Sequence, residues 1–170
     1  MPIIRQEQPN DYAEISKLVY TAFTDHPHHA PGAKPTEHLI VTSLRESNAL
    51  TLSLVANKGD AMIGHIAFSE ILINGEPDNW YGLGPVAVHP ASQRQGVGSA
   101  LIQHGIKMLR EQSAKGLVLL GDPQYYSRFG FVARSSLTLT GVPAEFFLVL
   151  AFDEIPTGQV TYHEAFYEHA

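Results

Sequence analysis

The chain has 170 residues, of which 44% are hydrophobic and 16% charged, and its formal net charge is −6 with histidine neutral. This composition is typical of one compact globular domain over residues 1–170, and the acidic balance disfavours nucleic acid as a partner. The absence of cysteine excludes disulfides, thiolate metal sites and cysteine nucleophiles.

No apolar run approaches the roughly 20 residues needed to cross a bilayer. The first residues, MPIIRQ, turn polar too soon to form the apolar core of a targeting segment. We therefore expect a cytoplasmic protein that does not engage a membrane.

The N-terminal part is predicted to contain one strand and two helices. Residues 2–7 favour a short strand, and Asp11 with Glu14 fits a capping box that begins the first helix. Thr36 fits the N-cap of a second, shorter helix. Residues 26–35 hold three prolines, one glycine and three histidines, which predicts a loop between the two helices.

The middle of the chain has the pattern of antiparallel strands. Leucines alternate with polar residues over residues 50–54, which is the period of a strand. A long apolar strand is predicted over residues 62–73, and Asn74-Gly75 is a strong signal for a hairpin. The hairpin leads into a further strand over about residues 80–89.

The C-terminal half begins with the clearest helix of the chain, over residues 97–111. A short buried strand at 117–120 and a helical turn at 125–129 follow, and then two strands at 137–140 and 146–152. This order of elements predicts an α/β fold with a mixed, mostly antiparallel central sheet flanked by helices.

A glycine-containing loop, residues 93–99 (QRQGVGS), leads directly into that helix. The first backbone N–H groups of a helix have no internal partner and carry the positive end of the helix dipole. Gly96 and Gly98 have no side chains to keep a diphosphate away from these groups, and Arg94 adds a positive charge. The loop therefore predicts a phosphate-binding site, although a Gly-x-Gly that only caps the helix is an alternative.

Two familiar phosphate loops do not fit this segment. The P-loop requires Gly-x-x-x-x-Gly-Lys-Ser/Thr, and no such string is present. The dinucleotide fingerprint requires a third glycine within a parallel β-α-β unit, whereas Leu101 stands at that position and the preceding strands are predicted to be antiparallel.

Two segments resemble motifs of the GNAT superfamily of N-acetyltransferases. Residues 83–101 resemble its acetyl-CoA motif, and residues 125–131 (YYSRFGF) resemble its Tyr-x-x-x-Gly-Phe motif. The element order agrees along nearly all of the chain, and Phe146-Phe147 with Val160-x-Tyr162 is similar to a bacterial branch of predicted acetyltransferases. The resemblance implies a GNAT-like acyl-CoA N-acyltransferase fold that takes acetyl-CoA as cosubstrate and needs no metal.

The resemblance also implies roles for particular residues. The residues implied to bind acetyl-CoA are Val86, Ala87, Val88, Arg94, Gln95, Gly96, Val97, Gly98 and Ser99. A backbone N–H within residues 83–86 would polarise the thioester carbonyl, and Pro85 has no N–H to offer. Tyr126, four residues before Gly130, stands at the position of the tyrosine that protonates the departing thiolate; the alternative is that it only packs.

The group that takes the proton from the amine is less determined by the sequence. Glu70, near the end of the long strand, is one candidate. An equally favoured interpretation is that Glu70 is an exposed carboxylate on the strand with no role in catalysis. His65, His89 or an ordered water could serve instead. The family often has an asparagine where this chain has Gly121-Asp122-Pro123, so Asp122 is a second candidate carboxylate.

Other residues have both a structural and a functional interpretation. The histidines in residues 26–29 suggest a metal site, but a loop forming one wall of the acceptor cleft is favoured, because Asp25 is the only carboxylate beside them. Trp80 and Tyr81 could line the same cleft or belong to the core.

The sequence thus predicts an acetyl-CoA-dependent N-acetyltransferase that acts on a small-molecule amine. The amine would attack directly in a ternary complex, because no cysteine is present to form an acyl-enzyme. A protein acetyltransferase acting on N-termini or lysines and a non-catalytic CoA-binding sensor are the alternatives. The sequence leaves open whether the protein forms a homodimer.

Overall fold

The computed structural model describes residues 2–24, 32 and 34–169. Within them the chain forms five α-helices and nine strands. The helices are α1 (Tyr12–Phe23), α2 (Glu37–Glu46), α3 (Val97–Glu111), α4 (Pro123–Tyr126) and α5 (Glu164–Glu168). The strands are β1 (Ile3–Gln6), β2 (Leu50–Lys58), β3 (Ala61–Ile73), β4 (Glu76–Val88), β5 (Gly116–Leu120), β6 (Val132–Ala133), β7 (Leu137–Thr138), β8 (Phe147–Ala151) and β9 (Gly158–Thr161).

The strands pair in the order β1-β2-β3-β4-β5-β8-β6, and β9 pairs with both β3 and β7. The β4–β5 and β7–β9 pairs are parallel and the other pairs are antiparallel. The predicted fold class, a mixed and mostly antiparallel sheet flanked by helices, is confirmed. The predicted hairpin is also present, since Asn74 and Gly75 have φ values of 52° and 79°, as a tight turn between twisted strands requires.

Helices cover both faces of the sheet. On one face α3 buries Leu101, Ile102 and Leu109 against the central strands. The approach is closest at Gly105, where an added Cβ would lie 2.3 Å from Cζ of Phe68. On the other face α1 packs through Ile15 against the strands, and α2 packs against α5.

Asp11 and Thr36 stand at the N-cap positions of α1 and α2 as predicted, but neither side chain caps its helix, because both are engaged elsewhere. Neither Asp11 nor Thr36 makes a side-chain hydrogen bond to its helix. The Asp11 carboxylate instead accepts hydrogen bonds from the Arg5 guanidinium and the backbone N–H of Gln8. The hydroxyl of Thr36 donates to the carbonyl of His169 near the C-terminus.

Several elements near the C-terminus were not predicted from the sequence. These are β6, β9 and α5, and β9 matters most because its pairing with β3 brings the chain back towards the centre of the sheet. The predicted loop at 26–35 lies mostly outside the described residues, including His26, His28 and His29.

The parallel β4–β5 pair is short and then ends. Its last pair is Gly82 with Val118, although both strands continue beyond these residues. Just past this point β4 carries a bulge, because Gly84 and Pro85 lie opposite the single residue Ala67 of β3. A bulge bends its strand and increases its twist. We therefore attribute the separation of the two strands to this bulge.

Candidate active site

A cleft of about 420 Å³ opens where β4 and β5 separate. Its walls come from β4, the end of β5 and four segments distant in sequence, and we call it the β4–β5 cleft. The residues that line it are Phe23, Glu37, Ile40, Leu83, Gly84, Pro85, Val86, Leu120, Gly121, Asp122, Tyr126, Tyr162 and Phe166. Among the described residues no strand pairs with β4 on this side beyond Gly82, so its backbone groups there are available to a ligand that extends along the cleft.

A second depression of about 370 Å³ lies at the N-terminus of α3, and we call it the glycine-loop cradle. Its lining residues are Val88, Ser92, Gln93, Arg94, Gly96, Val97, Gly98, Ser99, Tyr125 and Arg128. The cradle and the β4–β5 cleft lie along the same strand, β4, and are flanked by the adjacent residues Tyr125 and Tyr126. The two motifs of the sequence analysis therefore meet in space.

The cradle has the backbone geometry of an anion site. Gly96 is the N-cap of the 15-residue helix α3 and has a φ of 86° in the left-handed region, where glycine avoids the steric cost that other residues incur. At Gly98 an added Cβ would lie 3.6 Å from a methyl carbon of Val88 and 3.7 Å from the hydroxyl of Tyr125. The missing side chains leave the positive end of the helix accessible.

Arg128 supplies a cationic group to the cradle that the sequence analysis did not identify. Its guanidinium lies 4.4 Å above the centre of the Tyr125 ring, and its Nε donates a hydrogen bond of 2.8 Å to the carbonyl of Tyr125. Together with Arg94 it gives the cradle two positive side chains, which suits a doubly charged diphosphate. Arg128 lies inside the YYSRFGF segment, so its position in that motif was the available signal.

Tyr126 lies in the β4–β5 cleft with its ring closely packed. An added Cβ on Gly121 would lie 2.5 Å from Cε2 of Tyr126, so only glycine leaves room for the ring in this position. Burial, with a smaller contribution from Tyr125, raises the pKa of Tyr126 to about 12. The hydroxyl therefore keeps its proton at neutral pH and can act as a hydrogen-bond donor.

The residues implied to bind the cofactor line the cleft, line the cradle, or, in the case of Ala87 and Gln95, line neither. Val86 lines the β4–β5 cleft, and Val88 with Arg94, Gly96, Val97, Gly98 and Ser99 lines the cradle. The side chain of Ala87 is buried beneath α1, which leaves only its backbone for a ligand. The side chain of Gln95 points back towards the loop and donates to the carbonyl of Ala91 at 3.5 Å.

Glu70, Asp122 and Glu37 differ in their position relative to the β4–β5 cleft. Glu70 is exposed and lines a neighbouring depression at the gap between β2 and β9, which shares Tyr162 with the cleft but does not include Tyr126. Asp122 lines the cleft, but its Oδ1 accepts a hydrogen bond from the N–H of Gln124 and caps α4. Glu37, in the first turn of α2, also lines the cleft, and its Oε1 accepts a hydrogen bond of 3.1 Å from the backbone N–H of Thr36. No local sequence motif marks Glu37.

The histidine alternatives to Glu70 have structural partners. His65 is fully buried, and its Nε2 lies 2.8 Å from the hydroxyl of Ser53. The Nδ1 of His89 accepts from the N–H of Ala91 and caps a short 3-10 turn. Neither histidine lines the β4–β5 cleft.

The two aromatic residues on β4, Trp80 and Tyr81, do not line the β4–β5 cleft either. Trp80 is fully buried in the core. Tyr81 donates its hydroxyl to the side chain of Asn79 at 2.7 Å. For Trp80 the core interpretation is therefore the one that the structure supports.

In the described part of the chain no three histidine, aspartate or glutamate side chains are grouped to hold a metal ion. The histidines at 26, 28 and 29 lie outside that part. Nor does any described helix have the length and apolar character to span a membrane.

Comparisons with known proteins match both the sequence and the fold. The model of the acetyltransferase (GNAT) family matches residues 12–131. The uncharacterized N-acetyltransferase YhbS of Escherichia coli K12 is 34% identical over 172 aligned positions, covering 96% of this chain and 98% of that protein.

Two solved structures resemble the whole chain. A GNAT family acetyltransferase from Brucella melitensis, in complex with acetyl-CoA, is 45% identical with a TM-score of 0.85, and the match covers 98% of each chain. The E. coli YhbS structure, in complex with CoA, is 33% identical with a TM-score of 0.88, covering 98% of this chain and 92% of that one.

Proposed function

The chain belongs to the GNAT family of acetyltransferases, and we propose that it transfers the acetyl group of acetyl-CoA to the amine of a small molecule by direct attack in a ternary complex. The observation that carries this proposal is the meeting of the β4–β5 cleft with the glycine-loop cradle at Tyr125 and Tyr126. The similar proteins from B. melitensis and E. coli were solved with acetyl-CoA and CoA, which supports the same cosubstrate here.

The residues of the two depressions fit acetyl-CoA. The N-terminus of α3, with Arg94 and Arg128, would hold the diphosphate. The backbone of β4 from Val88 to Val86 would hold the pantetheine arm in place of the missing strand partner. When bound, acetyl-CoA supplies the activated acetyl group.

Tyr126 provides the acid that the departing sulfur needs. A thiol of ordinary pKa, about 8.5, leaves more easily when a proton donor stands beside it. Burial raises the pKa of Tyr126 to about 12, so its hydroxyl is protonated throughout the physiological range. Leu83, Gly84 and Val86 line the same cleft, and their backbone N–H groups are the candidates to stabilise the developing oxyanion.

The acceptor amine must lose a proton before it can attack, because a free alkylammonium has a pKa near 10.4. Within the β4–β5 cleft we assign the removal of this proton to Glu37, whereas Glu70, one of the candidates from the sequence, lies in the neighbouring depression. A cleft of about 420 Å³ has the size of a small-molecule site. Its size favours a small amine over a folded protein as acceptor.

The proposal is tested by thiol release from acetyl-CoA in the presence of a panel of amines and peptides. Tyr126→Phe should lower kcat on the order of 100-fold and leave the Kd for CoA, measured by calorimetry, unchanged. Tyr20→Phe is the matched control, because Tyr20 is exposed on α1 and lies outside both depressions.

Other outcomes would redirect the proposal. Thiol release with peptides alone would favour a protein acetyltransferase. CoA binding without release for any acceptor would favour a non-catalytic sensor.

A further inference from the structure

Tyr162 lines the β4–β5 cleft and follows β9 directly. An added Cβ on Gly82 would lie 3.7 Å from two carbon atoms of the Tyr162 ring, Cε1 and Cζ. Gly82 is the last residue of β4 that pairs with β5. The Tyr162 ring therefore reaches across the sheet to the point where the cleft begins, and the ring of Phe166 on α5 packs against it at 5.1 Å.

The hydroxyl of Tyr162 is buried and has no hydrogen-bond partner among the described residues. Buried hydroxyls in native proteins nearly always have a partner, since an unpaired one is costly. Burial also raises the pKa of Tyr162 well above its ordinary value, so the group is a neutral phenol. Because Tyr162 lines the cleft, its hydroxyl is a candidate to bind the acceptor.

The remaining walls of the cleft restrict the chemistry of that acceptor. Two carboxylates, Glu37 and Asp122, line it, and no lysine, arginine or histidine does so among the described residues. Such a lining attracts an ammonium group and repels a carboxylate. The aromatic side chains of Phe23, Phe166 and Tyr162 offer an apolar surface that also favours a cation.

Resting on the proposed function, we propose that the acceptor is an amine with an apolar, aromatic-sized body and no carboxylate, and that the Tyr162 hydroxyl binds its amino group. The phenol oxygen would accept a hydrogen bond from the amine N–H, which gives the buried hydroxyl the partner that it lacks in the free protein. The apolar body would lie against Phe166 and Phe23. Acceptors with a carboxylate beside the amine, such as free amino acids, would be repelled by Glu37 and Asp122.

The test compares phenethylamine with phenylalanine as acceptors for the unmodified protein. The two probes share the ring and the amine and differ in the carboxylate. We expect kcat/KM to be at least 10-fold higher for phenethylamine. Equal values for the two probes would overturn the proposed acceptor class.

Tyr162→Phe tests the role of the hydroxyl while keeping the ring on Gly82. We expect its KM for phenethylamine to rise about 10-fold, with little change in kcat or in the KM for acetyl-CoA, and Tyr20→Phe to behave as the parent. An unchanged KM for phenethylamine would overturn the role of Tyr162.

If no amine releases thiol, the proposed function fails, and the acceptor site is tested by binding alone. Calorimetric titration of phenethylamine into the protein saturated with CoA should then show binding that Tyr162→Phe weakens. Absence of binding to the parent protein would overturn this inference as well.

Discussion

The hydroxyl of Tyr125 lies 3.7 Å from the position that a Cβ would take on Gly98. This relationship joins the glycine loop to the YYSRFGF segment, and 25 residues lie between the two in the chain. The space between them is the glycine-loop cradle, and a side chain at residue 98 would intrude on it.

Gly98→Ala should therefore separate ligand binding from stability. The added methyl group is at ordinary contact distance from Val88 and Tyr125, so the protein should accept it with a change in unfolding free energy of no more than about 0.5 kcal/mol. The same methyl group occupies the cradle, and we expect the Kd for CoA to rise about 10-fold or more. Calorimetry and urea unfolding measure the two effects.

Gln103→Ala, on the exposed side of α3, is the control for that experiment. It should change neither quantity beyond error. A Gly98→Ala protein that binds CoA as tightly as the parent would show that the diphosphate does not occupy the cradle.

Local patterns predicted the features that local physics determines. The helix at 97–111 and the Asn74-Gly75 turn depend on neighbouring residues, and both are present as predicted. The Asp11 capping box failed because Arg5, six residues earlier, binds that carboxylate.

The acceptor side of the site was not predictable from local patterns. Glu37, Tyr162 and Phe166 come from α2, the end of β9 and α5, and only the tertiary fold brings them to the cleft. The strand that positions Tyr162 has four residues and includes a glycine, so its alternation is too short to identify. The resemblance identified Tyr126, but not the residues that face it.

Gly121→Ala should impair Tyr126 without removing its hydroxyl. The added Cβ would lie 2.5 Å from Cε2 of the tyrosine ring, so the ring must move. A displacement of about 1 Å at a reacting group can reduce the rate by about 100-fold, and we expect kcat to fall 10- to 100-fold on this basis. Steady-state kinetics measures the effect.

The double variant Gly121→Ala/Tyr126→Phe shows whether the effect acts through Tyr126. If it does, the double variant is no slower than Tyr126→Phe alone, because the two changes remove the same interaction. Rate losses that multiply would mean that Gly121 affects the cleft in another way.

Glu37→Gln and Glu70→Gln distinguish the two candidate bases. Glu37 lines the β4–β5 cleft with Tyr126, whereas Glu70 lines the depression beside β9. We expect Glu37→Gln to lower kcat/KM for the amine on the order of 100-fold at neutral pH, and Glu70→Gln to have little effect. The reverse result would assign the proton transfer to Glu70, and two unchanged variants would leave Asp122, which also lines the cleft, or an ordered water.

His65 should make the fold sensitive to acid. Its side chain is fully buried, and Ser53 donates its hydroxyl proton to Glu7 at 2.6 Å. The Ser53 oxygen is therefore left to accept from Nε2 of His65, at 2.8 Å. The Nδ1 of His65 is buried with no partner among the described residues, so a second proton there would have no acceptor.

Burial lowers the pKa of His65 from 6.5 to about 4, an effect that the nearby Glu7 opposes and Arg45 reinforces. The unfolded chain therefore binds the proton more readily than the folded protein between these two values. The stabilisation from neutral His65 is complete above about pH 6.5 and is lost as the pH falls towards 4. At about 1.4 kcal/mol for each unit of pKa, the loss amounts to about 3 kcal/mol.

Urea unfolding at a series of pH values between 7 and 4 measures this dependence. His65→Gln, which has no proton to gain in this range and can still donate to Ser53, should show a shallower fall in unfolding free energy than the parent. His104→Gln, at an exposed position on α3, should follow the parent curve. Parallel curves for His65→Gln and the parent would mean that other groups cause the acid sensitivity. Glu7 would be the first to consider. Burial raises the pKa of its carboxyl, but hydrogen bonds from Arg45 and Ser53 outweigh burial and lower it.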